Sequence, residues 1–550
     1  NLVRDTLRLN EIVATLARYQ LAPWLGGIKA SWVQAHFQSL DGEPLSELAP
    51  GVRMREAFTE LGTTFIKLGQ ILSTRPDLVG PEIAGELAKL QADTPADSNE
   101  EVCRTFILEL GVAPEDLFLE FDGQAAASAS IGQVHFAQLR DGTPVAVKVQ
   151  HPGIEGKIRS DLDILKRLAE LADHYSEQAR QFRPKETIAE FSRILLAELD
   201  FGREQRNLKK FARNFADDPM VVIPEVYEQL STPRILTLER LDGVSLANTA
   251  RLTGAGHDLD ELATRGANIF LEMIFRDGFY HADPHPGNIF VLENSAIGLL
   301  DFGMVGRIDE QLRETMEEML FAVNDLDSQA LCAQIRELGD VPPELNDDDF
   351  RRHIEDFMTD YATQSIADLE LGDALNRMMA IIHSFRIILP SRVTLLLKVL
   401  VMLEGTARLL NPRFSLLEVL RPYQDRIIQR RMSPKKLLKK AQHSARDWGQ
   451  LAEMAPRELA EILKQVKRGK FDVHLEHRKL DAVANRLVMG VLTAALFVGS
   501  AMILSFDVPP NFHGISIAGA TGCLIAFAMG FRLVRAIQKS GNIESKRIDS

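Results

Sequence analysis

Asp283, Asn288 and Asp301 are spaced so that two short strands can bring them to one site. They lie in the stretch Tyr280–Gly303, YHADPHPGNIFVLENSAIGLLDFG. Asp283 precedes Asn288 by five residues. The apolar run Ile289-Phe290-Val291 follows, then a turn at Glu293-Asn294-Ser295, and Ile297-Gly298-Leu299-Leu300 leads into Asp301-Phe302-Gly303. A tight turn between the two runs sets Asn288 beside Asp301, with Asp283 at the mouth. A carboxylate and an amide oxygen are hard ligands that suit Mg²⁺, which completes its shell with water and phosphate oxygens. Asp283 stands where a base could orient a hydroxyl or a water. The chemistry this suggests is phosphoryl transfer, since D-x-x-x-x-N followed by D-F-G is its kinase-type layout.

Phosphoryl transfer also needs elements that hold the phosphates. Residues 132–139 and 144–149 alternate in polarity around Asp141-Gly142, which predicts a hairpin. A run of small residues, Ala125 to Ser130, precedes its first strand, where a kinase carries a glycine-rich loop. Lys148, between Val147 and Val149, takes the place of the phosphate-binding lysine of V-A-I-K. Residues 155–215 read as helical, and AELDFGREQRNLKKF lines one face with Glu198, Glu204 and Asn207. A kinase-like helix glutamate would pair with the strand lysine. Taken alone, those residues are better explained as an ordinary charged helix face. The strand Ile235–Glu239 occupies the hinge position, where backbone groups, Glu239's among them, would hold adenine.

With 550 residues the chain can form two to four domains. A net charge of −14 argues against a general nucleic-acid binder. The cysteines Cys103, Cys332 and Cys523 are far apart, so neither a zinc cluster nor a disulfide framework is expected. No charged-then-apolar leader precedes Arg4-Asp5, so secretion is not expected, and the start at Asn1 leaves the native N-terminus open.

In residues 55–92, Phe58, Leu61, Phe65, Ile66, Leu68 and Ile71 predict a helical apolar face, broken by Pro76 and Pro81. Lys67-x-Gly69-Gln70 sits inside it. A mid-helix glycine costs roughly 1 kcal/mol relative to alanine, which close approach of another element would explain. Residues 421–440 carry Arg421, Arg426, Arg430, Arg431, Lys435, Lys436, Lys439 and Lys440 against Asp425 alone. Anionic lipid headgroups would attract such a block. Residues 487–506 are apolar and uncharged over about 30 Å of helix, enough for one hydrocarbon core. A second span is expected over 514–531, making a transmembrane hairpin. Arg478, Lys479, Arg486, Arg532, Arg535 and Lys539 flank it and put both ends in the cytoplasm. Gly514, Ala518 and Gly522 form a small-residue ridge for close packing within the hairpin or in a homodimer.

Taken in order, these motifs resemble the UbiB family of atypical kinase-like proteins. The resemblance rests on KLGQ at 67–70, SIGQVH at 130–135, AVKVQ around Lys148, ELDFGREQRN at 198–207, HADPHPGN at 281–288 and DFG at 301–303. One departure is small: the loop reads Ala127-Ser128-Ala129-Ser130, where many members have alanine second. The resemblance implies that ATP lies under the loop of Ala127, Ser128, Ala129, Ser130, Ile131, Gly132, Gln133 and Val134. Lys148 would hold its phosphates and pair with Glu204. Asn288 and Asp301 would bind Mg²⁺, and Asp283 would be the catalytic-loop acid. Lys67 and Gln70 would lie over the site, Lys67 pairing with Glu198 and blocking the groove for a protein substrate.

The expected architecture is α+β, a bilobal protein-kinase-like fold with a helical N-terminal extension and a C-terminal transmembrane helical hairpin. Its expected divisions are an extension over 1–98, an N-lobe over 99–240, a C-lobe over 241–415, a basic helical linker over 416–486 and two transmembrane helices over 487–533. The expected function is a Mg²⁺-ATP-dependent kinase-like ATPase in ubiquinone or related prenyl-quinone biosynthesis. It would be multi-pass in a bacterial inner membrane with its kinase-like domain in the cytoplasm. Lipids or prenyl-quinone precursors and quinone-biosynthesis enzymes would be its partners. Two alternatives stay open: a true kinase for a small molecule or protein, and a nucleotide-binding scaffold. No flavin or iron motif supports a hydroxylase.

Overall fold

The computed structural model describes residues 2–21, 48–90, 94–175, 180, 183–362, 370–431, 480–505, 511–512 and 515–541. The chain divides into two compact units, Asn1–Ser433 and Pro434–Ser550.

The first unit is a kinase-like fold of mixed helix and sheet. Its N-terminal helices are Leu2–Arg18, Pro50–Leu61 and Thr63–Leu72, followed by the short Pro76–Val79 and Pro81–Leu87. The expected apolar run of residues 55–72 is two helices, because Gly62 takes φ +87° between them. Both halves still bury their apolar residues, Phe58, Leu61, Phe65 and Leu68 among them. Gly69 is needed for contact: a Cβ there would lie 2.2 Å from Leu90 Cδ1 and 2.9 Å from Phe58 Cδ2. The close approach expected from a mid-helix glycine is therefore present.

Helix Asn99–Leu110 opens with a Ser98/Glu101 capping box and closes at the left-handed Gly111. It covers one face of an antiparallel sheet through Val102 and Phe106, against Val145, Val147 and Ile235. Gly132–Gln138 pairs with Pro144–Gln150, as the Asp141-Gly142 turn predicts, and Pro144–Gln150 pairs on with Ile235–Glu239. The region expected to be continuously helical breaks near its end. Helix Pro184–Glu198 stops, and Asp200 caps a new helix, Phe201–Asn214, by accepting from the Gly202 N–H. Glu198 and Glu204 therefore lie on different helices, not on one face of one helix as their spacing suggested.

Below the sheet, helix Leu259–Glu272 runs through a wider turn, Met273–Asp277, into strand Phe279–His281. Ile289–Val291 and Ile297–Leu299 form the expected antiparallel pair, with Leu299 opposite Ile289. Val221–Val222 and Val244–Ser245 extend it to four strands. Phe279–His281 pairs with Val305–Arg307, so strands bracket Asp301-Phe302-Gly303 on both sides. Helices Glu310–Asn324, Ser328–Leu338, Asp347–Ala362, Leu371–Ser384, Ser391–Leu410 and Leu416–Arg431 complete the unit. Of the basic block, residues 432–440 lie outside the described residues.

In the second unit, helices Leu480–Ser505 and Ile517–Gly541 pack on each other. Val488–Ser505 is long and apolar enough to cross a bilayer, whereas the second apolar stretch, Ile517–Arg532, is shorter. The second helix begins three residues later than expected, after a small ladder of Asn511-Phe512 with Ile515-Ser516. Gly514 lies outside the described residues. The close contact falls on Gly519 and Gly522, where a Cβ would meet Leu504 N at 2.8 Å and Ser500 Oγ at 2.1 Å. Large apolar side chains such as Phe497, Leu524 and Phe527 point outward.

Candidate phosphoryl-transfer site

The site is assembled from the sheet, the helix Phe201–Asn214 and the two-stranded turn around Asp301. Lys148 projects from the middle of its strand, opposite Val134 and Leu236. Its Nζ lies 2.8 Å from Glu204 Oε2 and 3.7 Å from Asp301 Oδ1. Burial works to lower the Lys148 pKa, but Asp301 and then Glu204 outweigh it, so the ammonium is held above its usual range. Lys148 in turn pulls the Asp301 carboxyl down to about 2, against burial. Asp301 adopts φ +55°, an uncommon backbone for a residue with a side chain, and its Oδ1 accepts from the Gly303 N–H at 3.2 Å.

Glu204, Asn207 and Phe211 recur at helical spacing and turn one face toward this turn. Asn207 Nδ2 donates to the Phe302 carbonyl at 2.9 Å, and the Phe211 and Phe302 rings pack at a tilt, with centroids 4.9 Å apart. Phe302 is fully buried. The helix thus holds both the partner of Lys148 and the backbone beside Asp301.

Asn288 sits where the strand pair begins, and its carbonyl accepts from the Leu300 N–H at 2.8 Å. Its Nδ2 donates to Asp283 O at 3.2 Å and to Asp283 Oδ2 at 3.0 Å. With the amide nitrogen so directed, Oδ1 is the atom left to act as a ligand. His281 braces the loop. Its Nδ1 accepts from the Asp283 N–H, so its proton is on Nε2, which donates to the Leu300 carbonyl at 3.0 Å. Thr406, from helix Ser391–Leu410, donates to the Pro284 carbonyl at 2.9 Å.

Of the small-residue loop, Ala127-Ser128 forms a strand that pairs with Gln133-Val134, turning through Ala129–Gly132. Gly132 must be glycine, because a Cβ would lie 2.5 Å from the Val149 carbonyl oxygen. Ser130 and Gln133 are buried and Ile131 nearly so. His151 reaches Asp97 Oδ2 at 2.7 Å and the Ala129 carbonyl at 2.8 Å, tying the turn to the segment before helix Asn99–Leu110. Among the described residues, Ser128 Oγ is buried without a hydrogen-bond partner, an orphan donor of the kind a phosphate oxygen would satisfy.

Lys67 reaches in from the extension. Its Nζ lies 2.8 Å from Glu198 Oε2, and the charges of Asp301 and Lys148 also act on it. Gln70 points elsewhere and donates to the Leu90 carbonyl at 3.1 Å, so the structure does not bring it to the acids. At the hinge, the Glu239 N–H already donates to Glu225 O at 2.8 Å, and its carboxylate accepts from the Glu225 N–H. That donor is therefore not free for adenine.

Sequence reasoning missed Lys398. It stands in helix Ser391–Leu410 and feels both Asp283 and Lys67. A lone lysine in the apolar run VTLLLKVLVML was a usable signal, the same one that singled out Lys148 between two valines. His151 and Asp97 carried no comparable signal, because their meeting depends on a loop crossing.

Chemically, Glu198, Glu204 and Asp301 face Lys67 and Lys148, so acids exceed ammoniums at the centre. Asp301 and Asn288 Oδ1 are oxygen ligands of the kind a small divalent cation takes alongside phosphate oxygens. The residues present therefore fit Mg²⁺ with a nucleotide.

The chain is similar to known atypical kinase-like proteins. Residues 89–335 match a family model described as the ABC1 atypical kinase-like domain. Residues 354–415 match a UbiB helical domain, and residues 474–539 an ABC1/UbiB kinase-like C-terminal domain. The chain is 32% identical to an Azotobacter vinelandii protein named "Probable protein kinase UbiB", over 92% of this chain and 94% of that one. It is 35% identical to a Pseudomonas aeruginosa protein of the same name, over 76% and 79%. It is also 33% identical to an uncharacterized Clostridium pasteurianum protein from a hydrogenase 1 5' region, over 98% and 99%. Among solved structures, a Mycobacterium tuberculosis Rv3197–erythromycin complex is similar over 64% of this chain and 94% of that one, at 26% identity and a TM-score of 0.40.

Proposed function

The chain belongs to the UbiB family of atypical kinase-like proteins, and on that premise we propose that it is a membrane-anchored, Mg²⁺-ATP-dependent kinase-like ATPase serving ubiquinone or related prenyl-quinone biosynthesis. The observation that carries this reading is the Lys148–Glu204 pair, 2.8 Å apart, with Asp301 3.7 Å from the same ammonium. Bound ATP and Mg²⁺ supply the reacting phosphoryl group and the charge that offsets its oxygens. Lys148, held by Glu204, positions the phosphates. Ser128 and the backbone of the Ala129–Gly132 turn cover them. Asn288 and Asp301 are the ligands, and Asp283 orients the hydroxyl or water that accepts the group.

The Lys67–Glu198 bridge supports a small acceptor over a folded protein segment, because the extension carrying Lys67 is anchored at the site. The apolar stretch Val488–Ser505 supports anchoring, and the outward Phe497, Leu524 and Phe527 suit contact with lipid. A transmembrane hairpin with a cytoplasmic kinase-like unit, lipid contact by the basic block and quinone precursors as the handled molecules follow within this reading.

The test is phosphate release from ATP by purified full-length protein in vesicles containing anionic lipid, with and without Mg²⁺. Lipid-stimulated release by the wild type and its loss in Asp301→Asn are expected. Equal rates in the two would overturn the proposal.

A further inference from the structure

Three lysines from different parts of the chain converge on the site, and two of them already have partners. Lys67 bridges Glu198 and Lys148 bridges Glu204, each at 2.8 Å. Among the described residues, no carboxylate lies within ion-pair distance of Lys398. Its hydrogen bond to Ser73 Oγ is a long one, 3.5 Å. Ser73 donates its own proton to the Gln70 carbonyl at 2.6 Å, so it can only accept from Lys398. Among the described residues, that leaves two of the three ammonium protons undirected.

The surroundings do not favour an idle cation. Lys398 lies in the apolar helix Ser391–Leu410, between buried Leu396 and Val399. Burial lowers its pKa and Lys67 lowers it further, with Asp283 opposing. A partly buried ammonium without a direct ion-pair partner is unfavourable to folding. Such a group persists where an anion completes it. The same helix also holds the catalytic loop through Thr406 and the Pro284 carbonyl, so Lys398 is fixed relative to Asp283.

We propose that Lys398, steadied by Ser73, is an anion subsite that receives the terminal phosphoryl group of a bound nucleoside triphosphate. This rests on the nucleotide-binding reading above.

The test compares ATP and ADP, which differ by the group in question. Dissociation constants with Mg²⁺ are measured on the full-length protein in vesicles, for wild type, Lys398→Gln, Lys398→Arg and Ser73→Ala. Loss of one charge-assisted contact should weaken ATP by about tenfold or more in Lys398→Gln while leaving ADP within about twofold. Lys398→Arg should recover most of the difference, and Ser73→Ala should fall between. Thermal melting of the nucleotide-free protein is the second readout, and Lys398→Met should melt no lower than wild type, since an uncompensated cation is removed. Unchanged ATP affinity in Lys398→Gln, or equal weakening of ATP and ADP with a lower melting temperature, would overturn the subsite and leave the nucleotide-binding reading intact. A wild type that binds neither nucleotide would instead reject that reading, and the subsite with it.

Discussion

Asn207 donates from Nδ2 to the carbonyl of Phe302 at 2.9 Å, across 95 residues of sequence. Both groups are buried, and Glu204 lies one turn earlier on the same helix. The bond couples the helix that holds Lys148 to the turn that holds Asp301. Asn207→Leu leaves the Phe302 carbonyl unsatisfied, so it should cost about 1–3 kcal/mol. Urea denaturation measures the loss. Turnover should fall further than stability alone explains, read as phosphate release at temperatures where the variant is folded.

Lys148 and Glu204 should behave as a coupled pair. Lys148→Met leaves Glu204, only 5% exposed, without its closest counter-charge. Breaking a buried pair from one side costs of order 3–5 kcal/mol, whereas replacing both partners by apolar groups costs much less. The double variant Lys148→Met/Glu204→Leu should therefore be more stable than Lys148→Met, yet equally unable to bind ATP. A cycle with no coupling energy would refute the pairing.

The Lys67–Glu198 bridge should hold the extension in place. Glu198 Oε1 is buried and has no hydrogen-bond partner among the described residues, so Lys67 is its main compensation. Lys67→Ala should speed amide hydrogen exchange through Thr63–Leu72 and raise the rate of nucleotide entry. Glu198→Ala should do the same. Unaltered exchange in both would mean that Leu68, Phe65 and their neighbours hold this helix without the bridge.

Asp301 sets an acid limit. Lys148 holds its carboxyl at about 2, below the ordinary 3.8. A carboxyl depressed in the folded state adds stability that is full above the unfolded value and lost as pH falls through the folded one. The difference in stability between wild type and Asp301→Asn should hold steady from neutral pH to about 4 and close as pH approaches about 2. Denaturation at a series of pH values tests this, and convergence already near pH 5 would contradict it.

Much of the site was legible because its parts are local. The run from Asn288 to Asp301 is two strands and a turn, so alternation and turn residues were enough to bring its ends together. Lys148 stood out as a charge in an apolar strand. Resemblance to the family supplied the Glu204 and Glu198 pairings, and both are present at 2.8 Å. Gln70 shows the limit of this approach. A motif names a residue, but its amide turned to the Leu90 carbonyl 20 residues on.

The sequence by itself determined the strands, their turns and the residue types able to hold phosphate and a divalent cation, because these depend on neighbours within a few residues. It also placed Glu204 and Asn207 on one helical face. The tertiary structure decided that this face looks inward at Phe302, that the chain breaks between Glu198 and Glu204, and that Lys398 arrives from a helix about 115 residues beyond Asp283. Those outcomes depend on which apolar surfaces bury against one another, a property of the whole core that no local pattern encodes. The charges follow the packing: the helices that carry Lys67 and Lys398 share the main core, and the sheet that carries Lys148 joins it through Leu236 while its other face packs on helix Asn99–Leu110.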